Sequence, residues 1–80
     1  MSVAGKRLRA LRQAAGLTQE ELARRAGISV SLVAKYESGA AANPTAATLL
    51  SLAKSLAPLL GKSVSQVLTE LAGAEEEASQ

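Results

Sequence analysis

The stretch that decides the fold, from Thr18 to Gly39, reads TQEELARRAGISVSLVAKYESG. Its first part predicts a short helix over Gln19–Ala26. Thr18 stands directly before this helix and Glu21 follows three residues later. This is the spacing of a capping box, in which each side chain bonds the backbone N–H of the other residue. These two residues therefore predict where the helix begins.

The second part of the stretch predicts another helix, which begins after Ser29, a favoured N-cap residue, and ends at Gly39. Between the helices, Gly27 suits a sharp turn that needs a positive φ or close packing. Ala23 is small enough for the helices to cross closely. The expected apolar interior of the pair is Leu22, Ala26, Ile28, Val33 and Tyr36. This order is typical of a helix-turn-helix, whose second helix can lie in the major groove of DNA.

In these residues the chain resembles the Xre/Cro family of phage-repressor-like DNA-binding domains, over about Lys6 to Leu68. The matching segments are LRQAAGLTQEELARRAGIS at residues 11–29, YESG at 36–39, NP at 43–44 and TLLSLAKSL at 48–56. The resemblance rests on their order and spacing, because Thr-Gln-Glu-Glu-Leu-Ala alone is simply a good helix start. It implies an all-α fold, a compact five-helix lambda-repressor-like bundle with a helix-turn-helix. An unrelated bundle of four or five helices, with a capping box by chance, is the alternative interpretation.

The length predicts a single small domain. We expect this helix-turn-helix domain to span residues 1–72, because apolar residues at helical spacing continue that far. Residues 73–80 are rich in glutamate and lack apolar anchors, so we expect them to form an acidic flexible tail.

Three further helices are predicted outside the central stretch. Their expected starts are near Val3 or Ala4, near Thr45 and at Ser63. Pro58 lacks an N–H and clashes with the carbonyl four residues earlier, so we expect it to end or kink the fourth helix near Leu56 or Ala57. The residues around Pro58 would then lengthen the link to the fifth helix.

The composition excludes several classes of site. The chain has no Cys and no His, so disulfides, thiolate or histidine metal sites and a histidine acid or base are ruled out. It has no Gly-rich phosphate loop, and we expect no enzymatic activity, no metal and no cofactor. No apolar run approaches the ~18–20 residues that span a bilayer, and the N-terminus lacks a signal-peptide core. We expect a cytoplasmic, nucleoid-associated protein that binds no membrane.

Charge is distributed unevenly along the chain. Residues 1–35 carry seven Lys or Arg against two Glu, a net charge of +5, and residues 36–80 carry two Lys against five Glu, a net charge of −3. A surface that binds the phosphates of DNA must be basic, and the half that contains the helix-turn-helix has this property. The alternative is that these cations only solvate the outer faces of helices.

The resemblance implies which side chains read bases. The groove-facing positions of the third helix are Val30, Ser31, Ala34 and Lys35. Ser31 can bond base edges, Val30 can contact a thymine methyl group, and Lys35 can reach a guanine or a phosphate. The alternative for Val30 is packing against the preceding helix, and Leu32 is expected to be structural.

The resemblance also implies phosphate contacts by Thr18, Gln19, Ser29 and Asn43. Gln19 is the first residue of its helix, where the dipole and free N–H groups favour an anion. The alternatives are an exposed Gln19 without a role and a Ser29 that only caps its helix. Many relatives carry Lys or Arg in the loop before Pro44, where this chain has three alanines and Asn43. Each missing phosphate contact lowers the salt slope of binding by about one unit.

Arg12 and Glu37 resemble a pair that in this family forms an ion pair between the first helix and the end of the third. Such a pair would hold the recognition helix against the first helix. An exposed pair of this kind contributes only ~0–1 kcal/mol.

The leading hypothesis is a transcriptional regulator, a repressor, that binds double-stranded DNA as a homodimer. Its half-sites would lie about one helical turn, ~34 Å, apart. The expected dimer surface lies around the fifth helix and includes Leu59, Leu60, Val64 and Leu71. A role in the core alone is the alternative for these residues.

The second hypothesis is an antitoxin-like or anti-repressor module whose main ligand is a protein partner. The alanine-rich loop and the weakly polar third helix, with Val30, Leu32 and Ala34, favour this interpretation.

Overall fold

The structure, a computed structural model, describes residues 3–40 and 44–79, with side chains over 5–40 and 44–72. Within these ranges the chain forms five helices and no strands. The helices are α1 (Val3–Ala14), α2 (Gln19–Ala26), α3 (Val30–Ser38), α4 (Ala46–Leu60) and α5 (Val64–Ser79). The predicted all-α, five-helix bundle is therefore confirmed.

One hydrophobic core holds the bundle together, and every helix contributes to it. The largest fully buried side chains are Leu22, Val33, Leu52, Leu56, Val67 and Leu71. Leu8 and Leu11 join them from α1. Burying one such side chain contributes ~1.5–3 kcal/mol. Because α1 packs on α3 and α5 while α2 packs on α3 and α4, this core fixes how α2 and α3 are presented to solvent.

The turn between α2 and α3 depends on the backbone conformation of Gly27. Its φ is +73°, and a Cβ built there would meet nothing within 4 Å. Positive φ, and not close packing, is therefore the reason for glycine. The next N–H, of Ile28, donates to the Ala23 carbonyl at 3.0 Å. This is the Schellman pattern that closes a helix end.

The expectation that Pro58 ends α4 near Leu56 or Ala57 is wrong, whereas its alternative, a kink there, stays a prediction. The helix continues through Pro58 to Leu60 and ends at Gly61, which has a φ of +67°. Proline costs one backbone bond here. The end of the helix is closed beyond Leu60, because the N–H of Lys62 donates to the Ala57 carbonyl at 3.0 Å. Leu60 also packs against the core. The link to α5 is therefore short, residues 61–63.

The four apolar residues expected at a dimer surface differ in exposure. Leu71 is 1% exposed and belongs to the core, so it offers no surface to a second copy. Leu60 and Val64 are half-buried and pack against the core. Leu59 is 43% exposed. A role in the core, the alternative to a dimer surface, thus holds for Leu71 and in part for Leu60 and Val64.

The fifth helix begins after Ser63, whose hydroxyl oxygen accepts the backbone N–H of Gln66 at 3.0 Å. Its range reaches Ser79, so the backbone of residues 73–79 is helical where the sequence predicts a flexible tail. Alanine and glutamate, which dominate this segment, are strong helix formers. The division into a domain over 1–72 and a tail over 73–80 stays a prediction.

Gly5 lies where α1 crosses the last turn of α3, and the sequence analysis gave it no role. A Cβ at this position would collide with the carbonyl oxygen of Tyr36 and lie 3.1 Å from that of Glu37. Both obstacles are backbone atoms, which cannot rotate away as a side chain can. The absence of a side chain at Gly5 therefore sets how closely α1 approaches α3.

Gly5→Ala should lower stability, although alanine is the better helix former. Forcing apart two packed backbones costs roughly 1–3 kcal/mol, against a gain of ~1 kcal/mol in helix propensity. Urea unfolding followed by circular dichroism measures the difference. A rise in the unfolding midpoint would mean that propensity outweighs the clash and that α1 does not need this close approach.

The start of α2 carries the predicted capping box. The Thr18 hydroxyl oxygen accepts the Glu21 N–H at 3.1 Å, and the Thr18 N–H donates to Glu21 Oε1 at 2.8 Å. The bond from the Thr18 backbone lowers the pKa of Glu21 below its ordinary value, with smaller help from the Thr18 hydroxyl, Arg24 and Arg25. The cap therefore needs an ionised carboxylate for its full effect.

Glu21→Gln should remove a pH-dependent part of the stability. Because the folded-state pKa is the lower one, the contribution of Glu21 is fully present above the ordinary pKa of a glutamate and is lost as the pH falls below it through the lowered folded-state pKa. Glutamine still accepts the Thr18 N–H. Urea unfolding at a series of pH values should show the natural chain and the variant converging in acid. Glu20→Gln leaves the capping box intact and is the matched control. An equal loss of stability in the two variants at every pH would assign the effect to the helix dipole.

Candidate nucleic-acid interface

One face of α3 is exposed to solvent, and the opposite face packs against the core. Val33 is fully buried, whereas Val30 is 41% exposed. Ser31 and Lys35 are exposed and Ala34 is half-buried. Val30 and Ala34 lie one turn apart, as do Ser31 and Lys35, so the four residues form one patch. Val30 is thus not enclosed by α2. The base contacts of these residues stay a prediction.

The hydroxyls of Thr18 and Ser29 both cap helices. Ser29 Oγ accepts the Leu32 N–H at 3.1 Å, as Thr18 accepts that of Glu21. Capping uses an acceptor lone pair and leaves the hydroxyl proton to donate. Both residues are exposed, so a phosphate contact is compatible with their caps. Asn43, the fourth expected phosphate contact, lies outside the described residues.

Gln19 is neither exposed nor without a partner. It is half-buried, and its Nε2 donates to Glu37 Oε1 at 3.0 Å. The side chain is therefore held against the end of α3. As the first residue of α2, Gln19 also has a backbone N–H without an intrahelical acceptor, as the first four N–H groups of any helix do. That group suits an anion.

Arg12 and Glu37 form an ion pair with two hydrogen bonds. Arg12 Nε donates to Glu37 Oε2 at 2.6 Å and Nη2 donates to Oε1 at 3.0 Å. The side chains are only 11% and 4% exposed. Arg12 Nη1 also donates to the Leu17 carbonyl at 2.8 Å. The pair is therefore buried, and the small value for exposed pairs does not apply to it.

Glu37 thus accepts three hydrogen bonds, two from α1 and one from the start of α2. The sequence pointed to Arg12 and Glu37 but missed the bonds from Gln19 and to Leu17. No spacing rule reveals contacts between residues that are far apart along the chain. The result is that the start of α2 and the exposed face of α3 are fixed relative to each other.

Other kinds of site find little support in the described residues. They contain no group of three or more acidic, His or Cys residues arranged to hold a metal ion. Among the same residues, no helix combines the length and the apolar character needed to cross a bilayer. Exposed cations are instead the prominent polar feature of α1 to α3: Lys6, Arg9, Arg24, Arg25 and Lys35.

Glu37→Gln should be strongly destabilising, because it leaves the guanidinium of Arg12 buried without a counter-charge. Removing one partner of a buried pair costs about 3–5 kcal/mol. Glu70→Gln is the matched control, since Glu70 pairs with Lys62 at 2.8 Å with side chains 27% and 33% exposed. The control should cost at most ~1 kcal/mol. Equal unfolding midpoints in urea for the two variants would contradict the structural role of the buried pair.

A comparison with family models relates the sequence of this chain to known domains. A model described as helix-turn-helix matches residues 8–57, more than half of the chain. The match includes α2, α3 and their turn, together with Arg12 and Glu37. No curated protein and no solved structure gives a significant match. The chain therefore belongs to the Xre/Cro-like helix-turn-helix family of DNA-binding domains.

Proposed function

We propose that this chain is a sequence-specific repressor of transcription that inserts α3 into the major groove of DNA as a dimer. The supporting observation is the exposed patch on α3, which carries Ser31 and Lys35 while Val33 and Glu37 anchor the helix from behind. A helix that contacts base edges needs an exposed polar face and a fixed position in the domain. The proposed function is not enzymatic and requires no cofactor. It would be carried out at the nucleoid, in the cytoplasm.

Phosphate contacts would position this helix. The N-terminal N–H groups of α2 and the hydroxyl protons of Thr18 and Ser29 are the proposed donors, together with Asn43. Such contacts set register and orientation, whereas base contacts by Val30, Ser31, Ala34 and Lys35 would select the sequence. The scarcity of cations after α3 implies a shallow salt dependence compared with relatives that carry Lys or Arg there.

The proposed dimer follows from the small number of contacts that one copy offers. A two-fold dimer would place its two α3 helices in successive major grooves, ~34 Å apart. We propose that the copies meet around α5, where Leu60 and Val64 leave part of their side chains exposed.

Selection from random double-stranded oligonucleotides, at two salt concentrations, tests this function. We expect enrichment of a palindrome whose half-site centres are about 10–10.5 bp apart. Weak, salt-sensitive binding without any enriched sequence would contradict sequence-specific regulation, because phosphate contacts alone produce that behaviour.

Ser31→Ala combined with Lys35→Ala should abolish discrimination between the selected site and a scrambled one. Each good base contact contributes about 1–3 kcal/mol to discrimination. Helicity should be unchanged, because both side chains are exposed. Competition binding measures the ratio of affinities. The matched control is Ser51→Ala with Lys54→Ala, which removes the same groups from α4, away from the proposed DNA contacts and from α5. If the α3 variant still discriminated between the two sites, α3 would not be the helix that selects the DNA sequence.

A protein-interaction module of the antitoxin or anti-repressor kind is the second candidate. The exposed valine at the start of α3 and the lack of cations in residues 39–44 favour it. A chain whose only ligand is a protein would enrich no palindrome in the selection. An antitoxin-like chain that also binds its own promoter would enrich one, so the two candidates overlap in that outcome.

A further inference from the structure

An open groove of about 390 Å³ lies between the end of α2 and the second half of α4. Arg25 and Ala26 form one side, and Lys54, Pro58 and Leu59 are among the residues of the other. We call it the α2–α4 groove. None of its residues belongs to the proposed DNA contacts, which come from the beginning of α2, from α3 and from Asn43.

The apolar part of the groove is exposed to solvent. Leu59 is 43% exposed and Pro58 is exposed as well. Leu50 is also exposed, at 38%, but it does not line the groove. The exposed apolar surface of the groove is thus formed by the adjacent residues Pro58 and Leu59. With Val30 of α3, Leu50 and Leu59 complete the set of large apolar side chains that are exposed within the described residues. Clustered exposed apolar side chains mark sites of interaction more often than isolated ones do.

The cations of the groove are not engaged in a close ion pair, although Arg25 acts on Glu21 from a distance. Both Arg25 and Lys54 are exposed, and neither takes part in the pairs Arg12–Glu37 and Lys62–Glu70 of the described residues. A cation in the last turn of a helix is favoured by the dipole. The dipole accounts for the position of Arg25. Lys54 lies in the middle of α4, where the dipole gives no such explanation.

Two serines, Ser51 and Ser55, line the α4 side of the groove, and the hydroxyl of Ser51 is the one available to a ligand. Ser55 Oγ donates to the backbone carbonyl of Ser51 at 2.9 Å and is thereby satisfied. Ser51 also lines the groove, and its own hydroxyl makes no hydrogen bond within the part of the chain that the structure describes. The groove thus combines two cations, a polar donor and an apolar surface.

We propose that the α2–α4 groove binds an acidic peptide segment of a partner protein. Carboxylates of the segment pair with Arg25 and Lys54, and an apolar side chain packs against Pro58 and Leu59. The phosphate backbone of DNA fits this surface less well, because phosphates are bound by cations and polar groups and do not need exposed leucine and proline. The site goes beyond the proposed function, since it would let a DNA-bound regulator hold a second protein.

Nuclear magnetic resonance of the full chain, labelled with ¹⁵N, tests the proposal. The probe is a synthetic helical peptide that carries Glu along one face of the helix and Leu along the opposite face. Two matched peptides replace every Glu by Lys or every Leu by Ser. Saturable shifts confined to the groove are expected with the first peptide only. Arg25→Gln combined with Lys54→Gln, and separately Leu59→Ser, should each weaken binding about tenfold or more, which corresponds to ~1.4 kcal/mol.

The control variant is Lys6→Gln with Arg24→Gln, which removes two exposed cations outside the groove. Its peptide affinity should stay close to that of the natural chain. An equal loss in the control would reduce the binding to general charge attraction and overturn the proposal. Absence of saturable shifts, or shifts centred on α3, would overturn it too.

The same variants separate this proposal from its competitors. If Arg25→Gln combined with Lys54→Gln lost DNA binding while the natural chain bound no peptide, these two cations would be assigned to contacts with DNA phosphates. A change of oligomeric state in that variant, again without peptide binding, would assign the groove to a second copy. Peptide binding by a chain that enriches no DNA sequence would leave the groove proposal standing while the proposed function fails.

Discussion

The structure depends above all on the buried carboxylate of Glu37. It accepts two hydrogen bonds from Arg12 and one from Gln19, so it joins α1, the start of α2 and the end of α3. Two charges taken out of water are costly, and the cost is repaid only when every donor and acceptor is satisfied. Here no buried polar side-chain atom of the described residues lacks a partner. The network is therefore a geometric constraint, which fixes the order and angle of three helices.

That constraint matters because α2 and α3 are very short. They contain eight and nine residues, whereas an isolated helix needs about 12–15 residues to be even marginally stable in water. Their stability must come from tertiary contacts, and a buried Leu22 or Val33 supplies only part of it. The caps at Thr18 and Ser29 satisfy N–H groups at the helix starts. The interface is thus a surface property of the whole domain and not of one helix.

Sequence reasoning succeeded where the deciding interactions are local. Thr18, Glu21, Ser29 and Gly27 act on neighbours within a few residues, so α2 and α3 could be placed from their order alone. It failed at Pro58, because a local rule about proline ignores the packing of the following residues and the cap that closes α4.

The contacts that sequence reasoning missed have another cause. The close approach of Gly5 to the end of α3 and the bond between Gln19 and Glu37 join residues that only folding brings together. No periodicity encodes such distances. The groups that would touch DNA are exposed and make few internal contacts, so the fold positions them without specifying their ligand.

The close crossing at Gly5 has a mechanical consequence. At one end of α3, backbone lies against backbone with a network of hydrogen bonds beside it. No side chain separates that end of the helix from α1, so a tilt towards α1 would press carbonyl oxygens against Gly5. A surface this stiff loses little entropy on association, but it also cannot mould itself to its ligand. Any adjustment at such an interface falls to the bound molecule. For a double helix, the energy of bending and twisting would then contribute to selection at base pairs that no side chain reaches.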